Sequence, residues 1–212
     1  PGEKNTLAVR LENLPESSRW YPGAGLYRNV HLIITEDAYI PVWGTYITTP
    51  SVNEKFAKVN VRTKVVLPEG ADPAKYSVET SVWNPNKQKL TAVRTSLAQM
   101  KYNNNQAEQE FVIQAPSLWS PEMPALYSAE TRLYEGDKLK DIYTTPFGIR
   151  SIEIIPDKGF FLNGKRTVFK GVCNHHDLGP LGAAVNDAAI RRQIRILKDM
   201  GCNAIRTSHN MP

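Results

Sequence analysis

Residues 57–65 show a strict alternation of apolar and polar side chains, apart from Thr63. Val59, Val61 and Val65 fall on one side of an extended chain, while Lys58 and Lys64 fall on the other. A period of two residues is typical of a β-strand, whereas a helix repeats every 3.6 residues. The pattern therefore predicts a strand with one face in a core and the other face in water.

Similar alternating runs recur through the first 150 residues. They are separated by turn-forming stretches at residues 68–73, 84–87, 103–105 and 135–137. The predicted strands are residues 6–11, 26–34, 43–49, 57–65, 76–83, 91–100, 110–115, 127–134 and 138–144. Between residues 39 and 147 this makes about seven short strands, which predicts an immunoglobulin-like β-sandwich. The Cys-Trp-Cys pattern of antibody domains is absent from the sequence.

The stretch before residue 39 contains two predicted strands, joined by an aromatic and glycine-rich loop. Two strands alone cannot bury a core. We therefore expect residues 1–38 to be the last strands of another sandwich whose earlier strands are missing. The chain begins with Pro1 rather than Met, which suggests that the native start has been removed.

The pattern changes after Arg150. Asn163 and Gly164 predict a hairpin turn, residues 167–173 a short apolar strand, and residues 203–206 a second short strand. A helix is predicted between these two strands, over residues 187–200. Together they form a strand-helix-strand unit with parallel strands, and such strands need cover on both faces.

Local signals mark the ends and the inner face of this predicted helix. Asp187 is the expected cap at its start, and Gly201 suits a left-handed position at its end. Ile190, Ile194 and Leu197 recur at helical spacing, so we expect them to form its buried stripe.

The charge of the chain argues against two classes of partner. There are 26 Lys and Arg residues against 21 Asp and Glu residues, and most of the excess follows Arg150. Four of these basic residues, Arg191, Arg192, Arg195 and Lys198, share the predicted helix. Such a run is more typical of a solvated helix face than of a nucleic-acid surface. Nothing approaches 18 consecutive apolar residues, so no membrane span is expected either.

Polar residues gather at the predicted carboxyl ends of the two parallel strands. In folds with parallel strands, the loops at these ends are where ligands bind. Arginine offers a rigid fork of donors for hydroxyls or a carboxylate, and histidine can donate or accept at neutral pH. A binding site is therefore favoured, the alternative being ordinary loop residues. The two clusters are Asn174, His175, His176 and Asp177, and Arg206, Thr207, Ser208 and His209.

Other chemistries fit these residues poorly. Adjacent histidines point to different sides of an extended chain, so a zinc site is not expected. Cys173 is placed at the end of one strand and Cys202 before the next, which would set them at opposite ends of the sheet and exclude a disulfide. Ser208 beside His209 is not a nucleophile-elbow sequence. Asp177 is one carboxylate near the cluster, whereas glycoside hydrolysis needs two.

Four motifs nevertheless resemble glycoside hydrolase family 2, the β-galactosidase and β-glucuronidase group. Residues 18–30 resemble the end of its N-terminal sugar-binding sandwich. Leu-Trp-Ser-Pro-Glu at residues 118–122, followed by Pro124, Leu126 and Tyr127, resembles its immunoglobulin-like domain. Phe-Gly-Ile-Arg at 147–150, with Leu-Asn-Gly-Lys at 162–165, resembles the entry into its TIM barrel. Asn-Ala-Ile-Arg-Thr-Ser-His at 203–209 resembles the signature after the second barrel strand.

The resemblance implies an internal fragment of such an enzyme with a mainly β fold. Residues 1–38 would be the end of a jelly-roll sugar-binding domain, residues 39–148 the immunoglobulin-like β-sandwich, and residues 149–212 the first βαβ of a truncated TIM barrel. Both catalytic glutamates of the retaining mechanism lie later in the family's barrel, so no catalytic residue is expected in this chain. The intact parent would hydrolyse β-linked sugars, with β-galactosidase-like activity as the first expectation.

The resemblance also implies which residues bind the sugar. His175 and His209 match histidines that line the pocket, and Arg206 matches an arginine that organises its floor, with Asn174 beside them. Arg19 stands in a loop where family members often carry an aspartate that reaches the active site. A β-linked oligosaccharide or glycoside is the implied partner, and a homo-oligomer is compatible with the family. A sodium or divalent ion is implied for full-length members, and no cofactor or metal is expected in this part.

A rival prediction is a non-catalytic carbohydrate-binding or adhesion module built on the sandwich. An Asn-Glu pair downstream of residue 212 would favour the hydrolase, and a stop codon there the module. The loops of the sandwich itself carry no convergent polar cluster. Taken alone, that domain is therefore expected to act as a spacer.

Overall fold

The computed structural model of the protein describes residues 4, 6–16, 25–27, 29–98, 106–175 and 177–208. The chain divides into two compact units. Ile33–Val168 form one, called the sandwich unit, and Pro1–Leu32 with Phe169–Pro212 form the other, called the strand-helix-strand unit. Within the described residues, no helix is long and apolar enough to cross a membrane.

Seven described strands of the sandwich unit form two antiparallel sheets, which confirms the predicted immunoglobulin-like β-sandwich. One sheet has the strand order β1-β2-β5 and the other β4-β3-β6-β7. The ends of the predicted strands shift by no more than four residues, most at β4 and β5. The strands are β1 (Thr45–Val52), β2 (Phe56–Lys64), β3 (Tyr76–Trp83), β4 (Lys89–Ser96), β5 (Gln106–Gln114), β6 (Tyr127–Glu135) and β7 (Lys138–Phe147).

The core lies between the two sheets, where the alternation predicts it. In β2 every second residue is buried, and β5 and β6 repeat the same pattern. The buried apolar side chains fall into two clusters, one around Val59 and Phe111 and the other around Val78 and Leu133. Burial of these side chains supplies most of the free energy that holds the sheets together.

Four buried polar side chains, Thr63, Thr80, Gln109 and Thr131, lie between these clusters along their strands. The Gln109 Nε2 atom donates to the carbonyl oxygens of Val78 and Val93, at 3.2 and 3.0 Å. These bonds join β5 to the opposite sheet, because β3 and β4 belong to the other layer. Buried amides need such partners, since leaving the groups unpaired costs roughly 1–3 kcal/mol.

The predicted Asn-Gly hairpin is confirmed in a small three-stranded sheet of the same unit. The sheet is built from β8 (Ile152–Ile155), β9 (Gly159–Leu162) and β10 (Lys165–Arg166). Asn163 and Gly164 both have positive φ, 51° and 74°, as the tight turn requires. The Asn163 side chain also accepts from the Ser151 amide at 3.0 Å and donates to the Trp119 carbonyl at 3.0 Å. The turn therefore ties this sheet to the segment around Trp119.

The two strands predicted near the start of the chain are wrong for the residues that the structure describes. Residues 6–11, and 26–34 apart from residue 28, form no strand. Their apolar side chains are exposed, with Leu7 at 83% and Leu32 at 87%. Alternation shows which side chains could face a core, but a strand also needs a neighbour to complete its hydrogen bonds. No described residues supply that neighbour.

The predicted strand-helix-strand order is confirmed in the second unit. It runs β11 (Gly171–His175), α1 (Asp187–Asp199) and β12 (Ala204–Ser208), with β11 and β12 parallel. Gly201 has φ +85°. The Cys202 amide bonds to the Leu197 carbonyl and the Gly201 amide to the Lys198 carbonyl, both at 2.9 Å, which is a Schellman motif.

Two predictions about α1 are wrong. The cap is Asn186, whose side chain accepts from the Ala189 amide at 2.9 Å, while Asp187 is the first helical residue. A cap must stand one residue outside the helix so that its oxygen reaches the third helical amide. The expected stripe is not buried either, since Ile190 and Leu197 are half-buried and Ile194 is exposed. A helix face is buried only where other layers cover it, and two strands provide little cover.

Candidate functional site

The register of the two parallel strands brings the predicted polar clusters to the same end of the sheet. Cys173 pairs with Arg206, Asn174 with Thr207 and His175 with Ser208. Paired residues of neighbouring strands point to the same face, and successive residues alternate between faces. His175 and Arg206 therefore share one face, together with Cys173 and Ser208. Asn174 lies on the opposite face with Thr207.

Arg206 is held by two side chains on that shared face. Its Nη1 atom lies 2.8 Å from the Ser208 Oγ and 3.7 Å from the Cys173 Sγ, and it donates to both. Ser208 is 1% exposed, the one buried residue among those described in this unit. The guanidinium itself is exposed. The sequence predicts Arg206 at the end of its strand, whereas it is the middle residue of β12, and its guanidinium reaches Ser208 at the carboxyl end of that strand. The arrangement offers a fixed cationic fork beside this end of the sheet.

The same contacts change the acidity of the Cys173 thiol. Its hydrogen bond from the Arg206 guanidinium, and secondly its bond with the Ser208 hydroxyl, lower the pKa of the thiol below its ordinary value. A donor beside the sulfur stabilises the thiolate more than the thiol. Both described cysteines are free, as expected, although Cys173 lies in the middle of β11 rather than at its end.

Replacing Arg206 by leucine should therefore raise the pKa of Cys173 and slow its alkylation. At neutral pH a higher pKa leaves less of the reactive thiolate. The measurement is the rate of iodoacetamide labelling between pH 6 and 10 in a Cys202→Ser background, so that one thiol reports. Arg191→Leu, on the exposed surface of α1, is the matched control. An unchanged pH profile in Arg206→Leu would show that the guanidinium does not influence the sulfur.

Three of the polar residues singled out from the sequence lie outside the described residues. These are His176, His209 and Arg19. The sugar-binding roles of His209 and Arg19, and the place of His176 in the polar cluster, stay predictions. His175 is exposed and shares the face of Arg206, whereas Asn174 lies on the opposite face.

Sequence reasoning missed the residue that sets the strand register. The Asn203 side chain accepts from the Lys170 amide at 2.8 Å, and the Asn203 amide donates to the Lys170 carbonyl at 2.9 Å. These two bonds join the residues that directly precede β11 and β12. Asn203 is the first residue of the 203–209 motif, which could have drawn attention to it. Its role in setting the strand register becomes clear only from its hydrogen bonds to Lys170.

Gly171 is the second residue that was missed. A Cβ atom at this position would lie against the Ala204 carbonyl oxygen and 2.8 Å from the carbonyl carbon. Only glycine lets the two backbones approach this closely where the strands begin to pair. Asn203 and Gly171 together place Arg206 opposite Cys173.

Gly171→Ala is expected to weaken the pairing of β11 with β12 by about 1–3 kcal/mol, because the added methyl group overpacks the strand contact. The measurement is hydrogen exchange of the backbone amides of both strands, which should become faster in the variant. Gly25→Ala, in the same unit, is the control, since nothing lies within 4 Å of a Cβ there. Equal exchange rates in both variants would contradict the close-approach argument.

Comparison with known proteins assigns this chain to a family. Residues 39–150 match the model of glycosyl hydrolases family 2, and residues 153–211 match the TIM barrel domain of the same family. The first match alone covers more than half of the chain. The chain belongs to glycosyl hydrolase family 2.

Individual relatives of this family 2 chain are glycosidases. It is 43% identical over 211 residues to the β-galactosidase BoGH2A of Bacteroides ovatus, covering 99% of the chain and 25% of that protein. It is 33% identical to a β-glucuronidase of Bacteroides fragilis, covering 98% of the chain and 31% of that protein. The chain thus spans about a quarter to a third of the length of these curated relatives.

A solved structure shows the same architecture. A family 2 member from Bacteroides cellulosilyticus superposes with a TM-score of 0.79 at 37% identity, covering 91% of this chain and 25% of that one. The family 2 assignment and the mainly β fold with the start of a TIM barrel are therefore established together. The strands β11 and β12 fall within the part matched to the barrel domain.

Proposed function

We propose that this chain is part of a longer retaining glycoside hydrolase that acts on β-linked sugars, with β-galactosidase-like activity. The observation that carries the proposal is the exposed Arg206, whose guanidinium contacts Cys173 and is held by Ser208, the last residue of β12, at the carboxyl end of that strand. Ligands bind at this end of barrel strands. The 43% identity to a β-galactosidase supports galactosides as the first substrate to test.

In this proposal the chain contributes sugar binding rather than bond cleavage. Arg206 and His175 would contact hydroxyl groups of the sugar from one face of the β11–β12 pair, and His209 would join them. The acid/base and nucleophilic glutamates would come from later barrel strands outside residues 1–212. Retention of configuration requires these two carboxyl groups to lie about 5–5.5 Å apart.

The proposal extends to the organisation of the longer protein. Residues 1–38 would end a sugar-binding domain, residues 39–148 would set that domain against the barrel as a spacer, and the barrel would begin at residue 149. The matched ranges 39–150 and 153–211 support the second and third parts.

The test compares this chain with the longer protein encoded around it. The longer protein should hydrolyse nitrophenyl β-galactoside with retention of the anomeric configuration, followed by NMR. This chain alone should give no turnover, because neither glutamate belongs to it. Nitrophenyl β-glucuronide serves as the second substrate, since a β-glucuronidase is also among the relatives. Turnover by this chain, or an inactive longer protein, would contradict the proposal.

A further inference from the structure

Arg206 has one half of its guanidinium engaged and the other half available. The structure gives both of its hydrogen bonds to Nη1, which donates to the Ser208 Oγ and the Cys173 Sγ. Among the described residues, none accepts from Nε or Nη2. These two atoms form the side edge of the fork, which carries parallel donors suited to a pair of oxygen atoms.

Ser208 is the contact that decides the direction of this edge. Oxygen is a stronger acceptor than sulfur, and the distance to the Ser208 Oγ is 2.8 Å against 3.7 Å to the Cys173 Sγ. Ser208 is also buried, so water does not compete with the Arg206 guanidinium for its hydroxyl. An exposed arginine without such a partner would sample many rotamers, and a ligand that fixes it would have to offset the lost side-chain entropy.

We infer that Ser208 is a positioning residue, which orients Arg206 so that its Nε and Nη2 edge meets paired oxygens in the sugar pocket. This inference rests on the proposed function. It assigns to the serine of the Arg-Thr-Ser-His motif a task that does not require it to touch the sugar or act as a nucleophile. The paired oxygens are vicinal hydroxyls of the sugar or a carboxylate of the pocket, and kinetics separate the two sources.

The decisive experiment in the longer protein is a double-mutant cycle. Ser208→Ala should lower kcat/KM about tenfold, as expected for losing a hydrogen bond to a charged group. In an Arg206→Ala background the same substitution should have almost no effect, because no guanidinium remains to be positioned. A rise in KM alone assigns the edge to sugar hydroxyls, while a fall in kcat with unchanged KM assigns it to a carboxylate that acts in the transition state. An equal loss in both backgrounds, or wild-type kinetics in Ser208→Ala, overturns the inference.

A second measurement does not depend on activity. In this chain the ¹⁵N relaxation of the Arg206 Nε–H group should report a rigid side chain, and Ser208→Ala should make it mobile on the nanosecond scale. Ser208→Cys keeps the volume and a weak acceptor, and should fall between the two. Unchanged relaxation in Ser208→Ala overturns the inference even if the longer protein proves inactive. If Ser208→Ala makes Arg206 mobile in this chain but the longer protein is inactive, the positioning role of Ser208 stands and the proposed glycosidase activity is contradicted.

Discussion

Replacing Leu133 by alanine is expected to lower the free energy of unfolding of the sandwich unit by about 2–5 kcal/mol. Leu133 lies on β6 with a fully buried side chain, in the apolar cluster that includes Val65 and Val78. Truncation removes apolar surface and leaves a cavity that neighbouring strands cannot close without losing their own register. The loss is a large fraction of the stability of a domain of this size.

The measurement is urea unfolding followed by the fluorescence of half-buried Trp83 and Trp119. Leu139→Ala is the matched control, because it makes the same chemical change on the adjacent strand at a side chain 40% exposed. It should cost less than about 1 kcal/mol, since surface substitutions away from special features have small effects. Equal midpoints for the two variants would mean that the cluster around Leu133 is not the core of the sandwich.

Arg206→Ala in the longer protein is expected to reduce kcat/KM about 100- to 1,000-fold on nitrophenyl β-galactoside, as removal of a preorganised donor does elsewhere. The expectation follows from the exposed guanidinium, which Ser208 and Cys173 hold on the face of β11 and β12. A donor fork that is fixed before binding holds the oxygen atoms it contacts without reorganisation, so its loss weakens binding of the substrate and of the transition state.

The assay needs a control for folding and a control for charge. Thermal unfolding of Arg206→Ala should stay close to that of the wild type, because the side chain is exposed. Arg191→Ala removes the same charge from the exposed surface of α1 and should leave kcat/KM unchanged. A lower unfolding temperature that accounts for all the lost activity would assign Arg206 a structural role. Loss of activity in both variants would mean that overall charge, not the site, matters.

The sandwich was predictable from sequence because its signal is local. In β2 the alternation of Ala57, Val59 and Val61 with polar residues already predicts which side chains face the core, and the structure buries these three. The same holds for the Asn163-Gly164 turn, since positive φ at two successive positions is a property of those residue types.

The failures came where a neighbour decides the outcome. Residues 6–11 have the apolar and polar alternation of a β-strand, yet no described strand lies beside them to complete its hydrogen bonds. Ile194 has the spacing of a buried stripe, but the described layers do not cover it. Local pattern gives the potential for burial, and burial itself requires a second surface.

The β-sandwich, the strand-helix-strand order that follows it and the polar residues near the ends of both parallel strands could be predicted from the sequence, since each depends on residues close together in the chain. The tertiary structure decided the site. Arg206 meets Cys173 across 33 positions of sequence, because the bonds between Asn203 and Lys170 hold β12 in this register against β11. A shift of one residue in that register would reverse every side chain, so the site depends on a contact that no local pattern contains.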